Sequence, residues 1–236
     1  MESRVISIGA LSAHPLWNEK QAVRTGHATT TLVRAGDAVI LIDPGLPAPA
    51  LQARLAERAG LTPADITHVF MTTFSPENRR AVELFAQAEW LISERERESV
   101  GVPLISSLAR LAESAKAAKD AGEELAEDHD VMLQIVQRDV AVLQKCKAAP
   151  DSLAKGVDLF PLPGVTLGLT GVLLAEPTRT TLICGDAIPT AEHLEQGKVL
   201  PSCDDREMAQ ESFKEAIEIA DVLVLGRDNW VLNQTR

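Results

Sequence analysis

Tyrosine is missing from this 236-residue chain, and aromatic residues of all kinds make up only 3% of it. The lack of tyrosine excludes mechanisms that use a phenol as the general acid or base. Cysteine is also scarce, because Cys146, Cys184 and Cys203 are the only ones and show no Cys-x-x-Cys spacing. This pattern favours reduced thiols in a cytoplasmic protein over disulfides or a cysteine-based zinc site.

Long apolar runs and an excess of basic residues are absent as well. No stretch of the sequence approaches the roughly 18 uninterrupted apolar residues that a membrane helix needs, and the first residues lack the pattern of a signal peptide. The formal net charge is -11, which disfavours nucleic acids and anionic membranes as partners because both attract clustered Lys and Arg. We therefore expect a cytoplasmic protein that binds neither.

What the chain does contain is an alternation of predicted strands, turns and helices. A Thr- and Val-rich strand over residues 28–34 and an apolar strand over residues 38–42 flank the turn Ala35-Gly36-Asp37, which predicts a hairpin. A strand over residues 69–72 and a helix over residues 79–88 follow, and this order predicts a layered α/β architecture. Further predicted strands cover residues 89–93, 157–160, 171–174, 180–184 and 221–225, and further helices cover residues 48–59, ended by Gly60, and 205–220.

Residues from about 94 to 152 differ in composition, being rich in Ala, Glu, Lys and Leu and poor in strand formers. Apolar residues recur there at helical spacing, which predicts two or three helices, with Gly122 as a separator. We interpret this segment as a helical insertion within a single domain of residues 1–236. It either covers the sheet edge or a pocket, or forms a contact between two copies. The alternating charges of residues 94–98 predict a solvated helix face.

Five short segments, each at the end of a predicted strand, carry the most specific signal. They are Ile42-Asp43-Pro44-Gly45, residues 72–78, Pro163 to Gly168, Cys184-Gly185-Asp186-Ala187 and Leu225-Gly226-Arg227-Asp228. In this order they resemble the active-site loops of the metallo-β-lactamase superfamily. The resemblance covers the chain apart from the insertion. It implies a mixed α/β (α+β) fold, a four-layer αββα sandwich with its site in loops at strand ends.

The resemblance does not extend to the metal ligands of that family, because other residues occupy most of their positions. Transferring the family's ligand positions to this chain gives a former metal site made of Thr73, Ser75, Glu77, Asn78, Val165, Asp186 and Arg227. Of these, only Glu77 and Asp186 are good ligands, since Val165 has no donor atom and Arg227 carries a permanent cation. Family enzymes use Zn or Fe to generate hydroxide from water. With most ligands absent, we expect no cofactor and no catalytic residues here.

The replacements suggest a hypothesis about charge. Without a metal, Glu77 and Asp186 would face each other in a partly buried pocket, which is unfavourable. Arg227 could lie between them, so that a guanidinium–carboxylate cluster takes the place of the metal. The predicted function is that of a non-catalytic pseudoenzyme, which binds a small molecule in the former cleft or has a role in assembly. In the second case, homo-oligomers would form through the helical insertion.

An enzymatic alternative stays open. The protein could be a metallo-hydrolase of the lactonase or glyoxalase-II-like type that uses a relocated or single metal. His14 and His27 lie in N-terminal segments that could approach the site, and they are the first candidate ligands beside Glu77 and Asp186.

Overall fold

The computed structural model describes residues 1–121 and 128–234, and two six-stranded sheets form its centre. The strands of the first sheet follow one another in chain order across the sheet. β1, β2 and β3 pair antiparallel, and β3 to β6 pair parallel. Their bounds are β1 Glu2–Ser7, β2 Thr30–Ala35, β3 Ala38–Ile42, β4 His68–Met71, β5 Glu89–Ile92 and β6 Lys147–Ala148.

The second sheet is built from the last third of the chain. Its strands run in the order β12-β11-β10-β9-β8-β7. All neighbours in it pair antiparallel except β10 and β11, which are parallel. Their bounds are β7 Ser152–Ala154, β8 Val157–Pro161, β9 Thr170–Ala175, β10 Thr180–Ile183, β11 Val222–Val224 and β12 Trp230–Leu232.

Helices cover the outer face of each sheet. Their bounds are α1 Ala48–Ala59, α2 Pro76–Arg79, α3 Glu94–Ala121, α4 His129–Lys145, α5 Ala191–Gln196 and α6 Arg206–Ile219. Short 3-10 helices occupy residues 15–17, 63–65, 82–85 and 185–187. None of the helices in the described ranges is both long and apolar enough to span a membrane.

Three apolar clusters fill the spaces between these layers. One joins the first sheet to α1 and to the base of α3 and α4, and one joins the second sheet to α6. The third lies between the sheets and includes Val33, Phe70, Val172 and Ile183. Each sheet therefore buries both faces, as expected for the two inner layers of a four-layer αββα sandwich.

The helical hairpin, as we call α3 together with α4, lies within the segment expected to be an insertion. The segment's predicted end at residue 152 coincides with the first residue of β7, and β6 at Lys147–Ala148 already pairs with β5. Gly122, the predicted separator, lies outside the described residues. The prediction of a solvated face at residues 94–98 is wrong for Glu96, whose exposed fraction is 1%.

The prediction of a helix over residues 79–88 is also wrong. The helix begins earlier, at Pro76, where the Ser75 side chain accepts a hydrogen bond from the Glu77 N–H, an N-cap followed by proline at the first helical position. It ends at Arg79, because the Ala81 N–H donates to the Pro44 carbonyl at 2.9 Å instead of to a carbonyl of its own helix.

Candidate functional site

The loops predicted from sequence meet at one edge of the sandwich. They follow β3, β4, β10 and β11 and precede β9, and direct hydrogen bonds join several of them. The Thr170 N–H donates to the Thr72 carbonyl at 3.1 Å, which links the loop after β4 to the start of β9. The Cys184 N–H donates to the Val224 carbonyl at 2.9 Å, which links β10 to β11. The edge therefore draws its side chains from both sheets.

Two glycines permit this close meeting of loops. Gly185 has a φ of +52°, and a Cβ atom there would lie 2.8 Å from the Thr72 hydroxyl oxygen. A Cβ atom on Gly226 would lie 2.3 Å from the Gly185 carbonyl oxygen. A side chain at Gly185 would push the loop that carries Asp186 away from Thr72, and one at Gly226 would push apart the loops that carry Asp186 and Arg227.

Arg227 is the centre of the site. Its Nε and Nη2 donate to the two oxygens of Asp186, each at 2.7 Å. Its Nη1 donates to Glu77 at 2.5 Å, and Nη2 also donates to the Asn78 side-chain oxygen at 3.0 Å. Charge-assisted and bidentate pairs of this kind are the strongest hydrogen bonds in proteins. The structure thus places one guanidinium between the two carboxylates, as the charge hypothesis requires.

Burial makes this cluster electrostatically important. The side chains of Arg227 and Asp186 are only 4% and 8% exposed, whereas that of Glu77 is 31% exposed. Burial alone would lower the pKa of the Arg227 guanidinium, but the attraction of Asp186, and then of Glu77 and Asp43, outweighs it and raises that pKa. Arg227 therefore carries its full positive charge in the site.

Asp43 is a buried carboxylate of this site that the sequence interpretation treated only as part of a turn. It has a φ of +52° and is 2% exposed. Its Oδ1 accepts from the Thr72 N–H at 2.9 Å and its Oδ2 accepts from the Thr72 hydroxyl at 2.7 Å. Burial raises the pKa of Asp43 to about 7, although the Thr72 hydrogen bonds act in the opposite direction. The signal available in the sequence was an Asp that directly follows a fully apolar strand.

A cavity of about 580 Å³ opens beside the Arg227 cluster. Of the predicted site residues, Asn78 is the one that does not line the cavity. Asn78 is 1% exposed and donates from Nδ2 to the Thr72 hydroxyl oxygen at 3.1 Å. The predicted residues that do line it are Thr73, Ser75, Glu77, Val165, Asp186 and Arg227. The remaining wall comes from residues 11–19, part of the N-terminal segment around His14 that was expected to approach the site, and from residues 200–204, which the sequence did not suggest.

The wall formed by residues 11–19 is held by His14. The His14 ring stacks on Trp17 with centroids 4.1 Å apart, and its Nε2 lies 3.2 Å from the Thr190 hydroxyl oxygen. The same hydroxyl oxygen lies 2.8 Å from His193 Nδ1. His14 thus fixes this segment to the start of α5.

The histidines proposed as relocated ligands do not assemble a metal site with the acidic pair. Both ring nitrogens of His27 face backbone carbonyl oxygens, those of Thr25 and Ile8, at 3.1 Å. Within residues 1–121 and 128–234, no three His, Cys, Asp or Glu side chains converge in a way that could hold a metal ion.

Glu96 connects the helical hairpin to the site. Its Oε1 accepts from the Phe74 N–H at 2.9 Å, and its Oε2 accepts from the Thr166 hydroxyl at 2.7 Å. Burial raises the pKa of Glu96, against the effect of its hydrogen bonds to Phe74 and Thr166. One carboxylate of α3 therefore joins two loops that line the cavity.

Comparison with known proteins agrees with this architecture. The family model of the Metallo-beta-lactamase superfamily matches residues 23–72, from before β2 to the first residue of the loop after β4. A Thermotoga maritima structure described as a metallo-beta-lactamase aligns over 98% of both chains with a TM-score of 0.65 and 18% identity. The protein has the metallo-β-lactamase fold. A search of curated proteins finds no match to this chain.

Two other solved structures bear on the cofactor. One is AidC, a dizinc quorum-quenching lactonase, which has a TM-score of 0.60 and 21% identity over 81% of this chain and 67% of its own. The other, a Staphylococcus aureus structure described as a metal-dependent hydrolase, has a TM-score of 0.64 and 16% identity over 95% of this chain and 86% of its own. The expectation that the protein takes no cofactor is wrong on this comparison, because the fold's relatives point to a metal.

The residues at the expected place do not fit a dinuclear centre, however. The Arg227 guanidinium already bonds to Asp186 and Glu77, which are the two carboxylates that a metal would need. Val165 contributes only hydrocarbon to the cavity wall. A fixed cation between both carboxylates would repel a second cation by several kcal/mol at such short range, even at an effective dielectric constant of about 20.

Proposed function

We propose that the protein is a ligand-binding member of the metallo-β-lactamase fold, non-catalytic at the position where the fold's enzymes hold their dinuclear centre. The observation that supports this most is the position of Arg227, whose guanidinium bonds to both Asp186 and Glu77. The cluster joins loops of both sheets, and its one positive charge lies against two carboxylates. Among residues 1–121 and 128–234, no group of three His, Cys, Asp or Glu side chains could hold the metal that a reaction through metal-bound hydroxide needs.

The cavity supports a binding role. Its volume of about 580 Å³ falls within the range of roughly 300–1,000 Å³ that is typical of small-molecule sites. Its wall combines hydroxyl groups, carboxylates and apolar groups, among them Ser12, Thr166, Asp204 and Leu200. A polar ligand could make several directed hydrogen bonds there while it covers apolar surface.

A fragment screen with two cavity variants tests the binding role. Ser202 lies at the exposed rim of this cavity, so Ser202→Trp should fill the entrance without disturbing the core. Gln52 is exposed on α1 and does not line this cavity, and Gln52→Trp is the matched control. We expect saturation-transfer NMR to detect fragments that bind the wild type and Gln52→Trp but not Ser202→Trp. If no fragment distinguishes Ser202→Trp from the control, the proposal fails.

The second candidate function is a metallo-hydrolase of the lactonase or glyoxalase-II-like type with a relocated or single metal. The dizinc lactonase among the fold's relatives favours it. The discriminating experiment measures metal content by elemental mass spectrometry after growth with Zn, Fe and Mn, together with hydrolysis of N-hexanoyl-homoserine lactone. Stoichiometric metal and turnover that Asp186→Ala abolishes would replace the binding proposal with this one.

An assembly role through the helical hairpin belongs to the same proposal. Val102 and Ile105 of α3 and Val131, Met132 and Ile135 of α4 are 50–70% exposed, and exposed apolar groups in such number favour a protein contact. Light scattering of the wild type and of the double variant Ile105→Ser/Met132→Ser tests it. We expect a dimer in the wild type that dissociates in the variant.

We also propose a cytoplasmic location. All three cysteines are free thiols, which supports this location.

A further inference from the structure

The cavity beside Arg227 carries more negative than positive charge on its wall. Its carboxylates are those of Glu19, Glu77, Asp186 and Asp204. Arg227 is the one cation among the described residues that line it, and behind the wall Arg24 forms an ion pair with Glu19. Two guanidinium groups do not balance four carboxylates, so the cavity keeps an excess of negative charge that disfavours anionic ligands.

Two of these carboxylates have oxygens open to a ligand. Glu77 Oε2 accepts from Arg227, whereas Glu77 Oε1 accepts no hydrogen bond from the described part of the chain. The Glu77 side chain is 31% exposed, so a molecule in the cavity can reach this carboxylate. Asp204 is exposed, and no described residue donates to its carboxylate. Both side chains therefore offer free acceptors to a donor on the ligand.

Arg227 offers the complementary group, a donor without an acceptor. A guanidinium has five N–H bonds, and four of them bond to Asp186, Asn78 and Glu77. The second N–H of Nη1 meets no acceptor among the described residues, although this side chain is only 4% exposed and lines the cavity. A buried charged donor without a partner is unfavourable, so an oxygen atom of a ligand would stabilise it.

The free donor and the free acceptor belong to one contact. Arg227 Nη1 donates to Glu77 Oε2 at 2.5 Å, so the unused N–H of Nη1 and the unused Oε1 lie on neighbouring groups. A ligand that bonds to both must carry a donor and an acceptor close together. The apolar part of the cavity wall comes from Leu11, Pro15, Val165, Leu200 and Pro201. It suits an aliphatic group on the same ligand, which is stabilised there by its removal from water.

We propose that this cavity binds an amino-acid amide, in which a primary ammonium group lies next to an uncharged carbonyl, with an aliphatic side chain. The inference rests on the binding role proposed above and names its ligand class. The ammonium group donates to Glu77 Oε1 and is attracted by Asp204. The carbonyl oxygen accepts the free N–H of Arg227, and the side chain covers the apolar wall.

Three matched probes test the ligand class by isothermal titration calorimetry on the full chain. L-leucinamide has the required groups, N-acetyl-L-leucinamide lacks the positive charge, and L-leucine adds a carboxylate. At about pH 6.5 the free amine of leucinamide is protonated. The wild type should bind leucinamide about tenfold more tightly than either of the other probes. Ser202→Trp should abolish this binding and Gln52→Trp should keep it.

A pair of charge variants tests the acidic wall. Asp204 and Asp37 are both exposed, but only Asp204 lines the cavity, whereas Asp37 lies in the turn between β2 and β3. Asp204→Asn should weaken leucinamide about threefold and leave N-acetyl-leucinamide unchanged, and Asp37→Asn should change neither. In Glu77→Gln the amide oxygen can still accept from Arg227, and this variant should lose the preference for leucinamide over N-acetyl-leucinamide.

The outcomes separate this inference from the binding role itself. Equal affinities of the wild type for leucinamide and N-acetyl-leucinamide would overturn the inference. A preference for leucinamide that both Glu77→Gln and Asp204→Asn leave intact would overturn it as well. In either case the binding role stands if fragments still distinguish Ser202→Trp from Gln52→Trp. If neither the probes nor any fragment binds the wild type, both proposals fail.

Discussion

Arg227 and Asp186 face each other through two parallel hydrogen bonds, Nε to Oδ1 and Nη2 to Oδ2, each 2.7 Å long. Asp186 follows β10 and Arg227 follows β11, two parallel neighbours in the second sheet. Glu77 of α2 extends the cluster to the first sheet through its 2.5 Å contact with Arg227. This ion cluster therefore connects the loops of both sheets at the candidate site.

The first prediction concerns the removal of the central cation. Arg227→Ala leaves Asp186 buried and Glu77 half-buried without their partner, and breaking a buried pair in this way typically costs about 3–5 kcal/mol of the free energy of unfolding. Urea unfolding followed by circular dichroism measures it. Arg138→Ala is the control, because Arg138 forms an exposed ion pair with Glu83. The two side chains are 61% and 52% exposed, and such pairs contribute less than about 1 kcal/mol to the free energy of unfolding. Equal losses for the two variants would contradict a structural role for Arg227.

Local rules predicted much of the fold from sequence. The helix expected over residues 48–59 matches α1, with Leu51 and Leu55 buried and Gly60 in a left-handed conformation after its last turn. The hairpin of β2 and β3 is confirmed as well. These elements depend on apolar spacing and on glycine at a positive φ, both of which are visible in a single sequence.

The site was predicted less completely, because part of it depends on long-range contacts. Glu96 belongs to an alternating charge run that predicts a solvated face, yet it bonds to Phe74 and Thr166 from loops far away in the chain. The left-handed backbone of Asp43 and its bonds to Thr72 likewise require β3 and β4 to be neighbours. The segment around His14 was expected near the site as a source of a metal ligand, but His14 instead contacts Thr190, 176 positions away in the chain, and no local pattern indicates that contact.

A second prediction follows from the raised pKa of Asp43. That pKa rises from its ordinary 3.8 to about 7 in the folded protein, because the carboxyl group is buried. Between these values the unfolded chain has lost the proton and the folded chain keeps it, so stability falls as the pH rises from about 4 to about 7, by as much as about 4 kcal/mol. Asn tolerates the left-handed conformation, and Asp43→Asn should remove this fall in urea titrations across that range.

A third prediction uses His193, whose pKa burial lowers from 6.5 to about 4. Below pH 6.5 this histidine binds a proton in the unfolded chain but stays unprotonated in the folded chain. The free energy of unfolding therefore falls as the pH drops toward about 4, by up to about 3 kcal/mol. Its effect opposes that of Asp43. Between about pH 4.5 and 6.5 we expect stability to rise with pH in Asp43→Asn and to fall with pH in His193→Asn. Parallel curves for the two variants would show that neither residue governs this range.

Both helices of the helical hairpin help to position Phe74, in the loop after β4. The Phe74 N–H donates to Glu96 of α3, and the Phe74 carbonyl accepts from Arg79 Nε at 2.9 Å. Arg79 also lies 4.1 Å above the Phe74 ring and forms an ion pair with Asp139 of α4 at 2.7 Å. Both helices thereby fix the backbone between Thr73 and Ser75, which line the cavity.

The fourth prediction is that loosening the hairpin loosens the cavity wall. Asp139→Asn removes the charge that orients Arg79, so the backbone of residues 72–78 should exchange its amide hydrogens several-fold faster, because local opening there costs less free energy. Hydrogen-exchange mass spectrometry measures this directly. Glu83→Gln is the control, since Glu83 bonds to Arg138 of α4 without reaching Phe74. Faster exchange in both variants, or in neither, would mean that the hairpin does not position the site through Asp139.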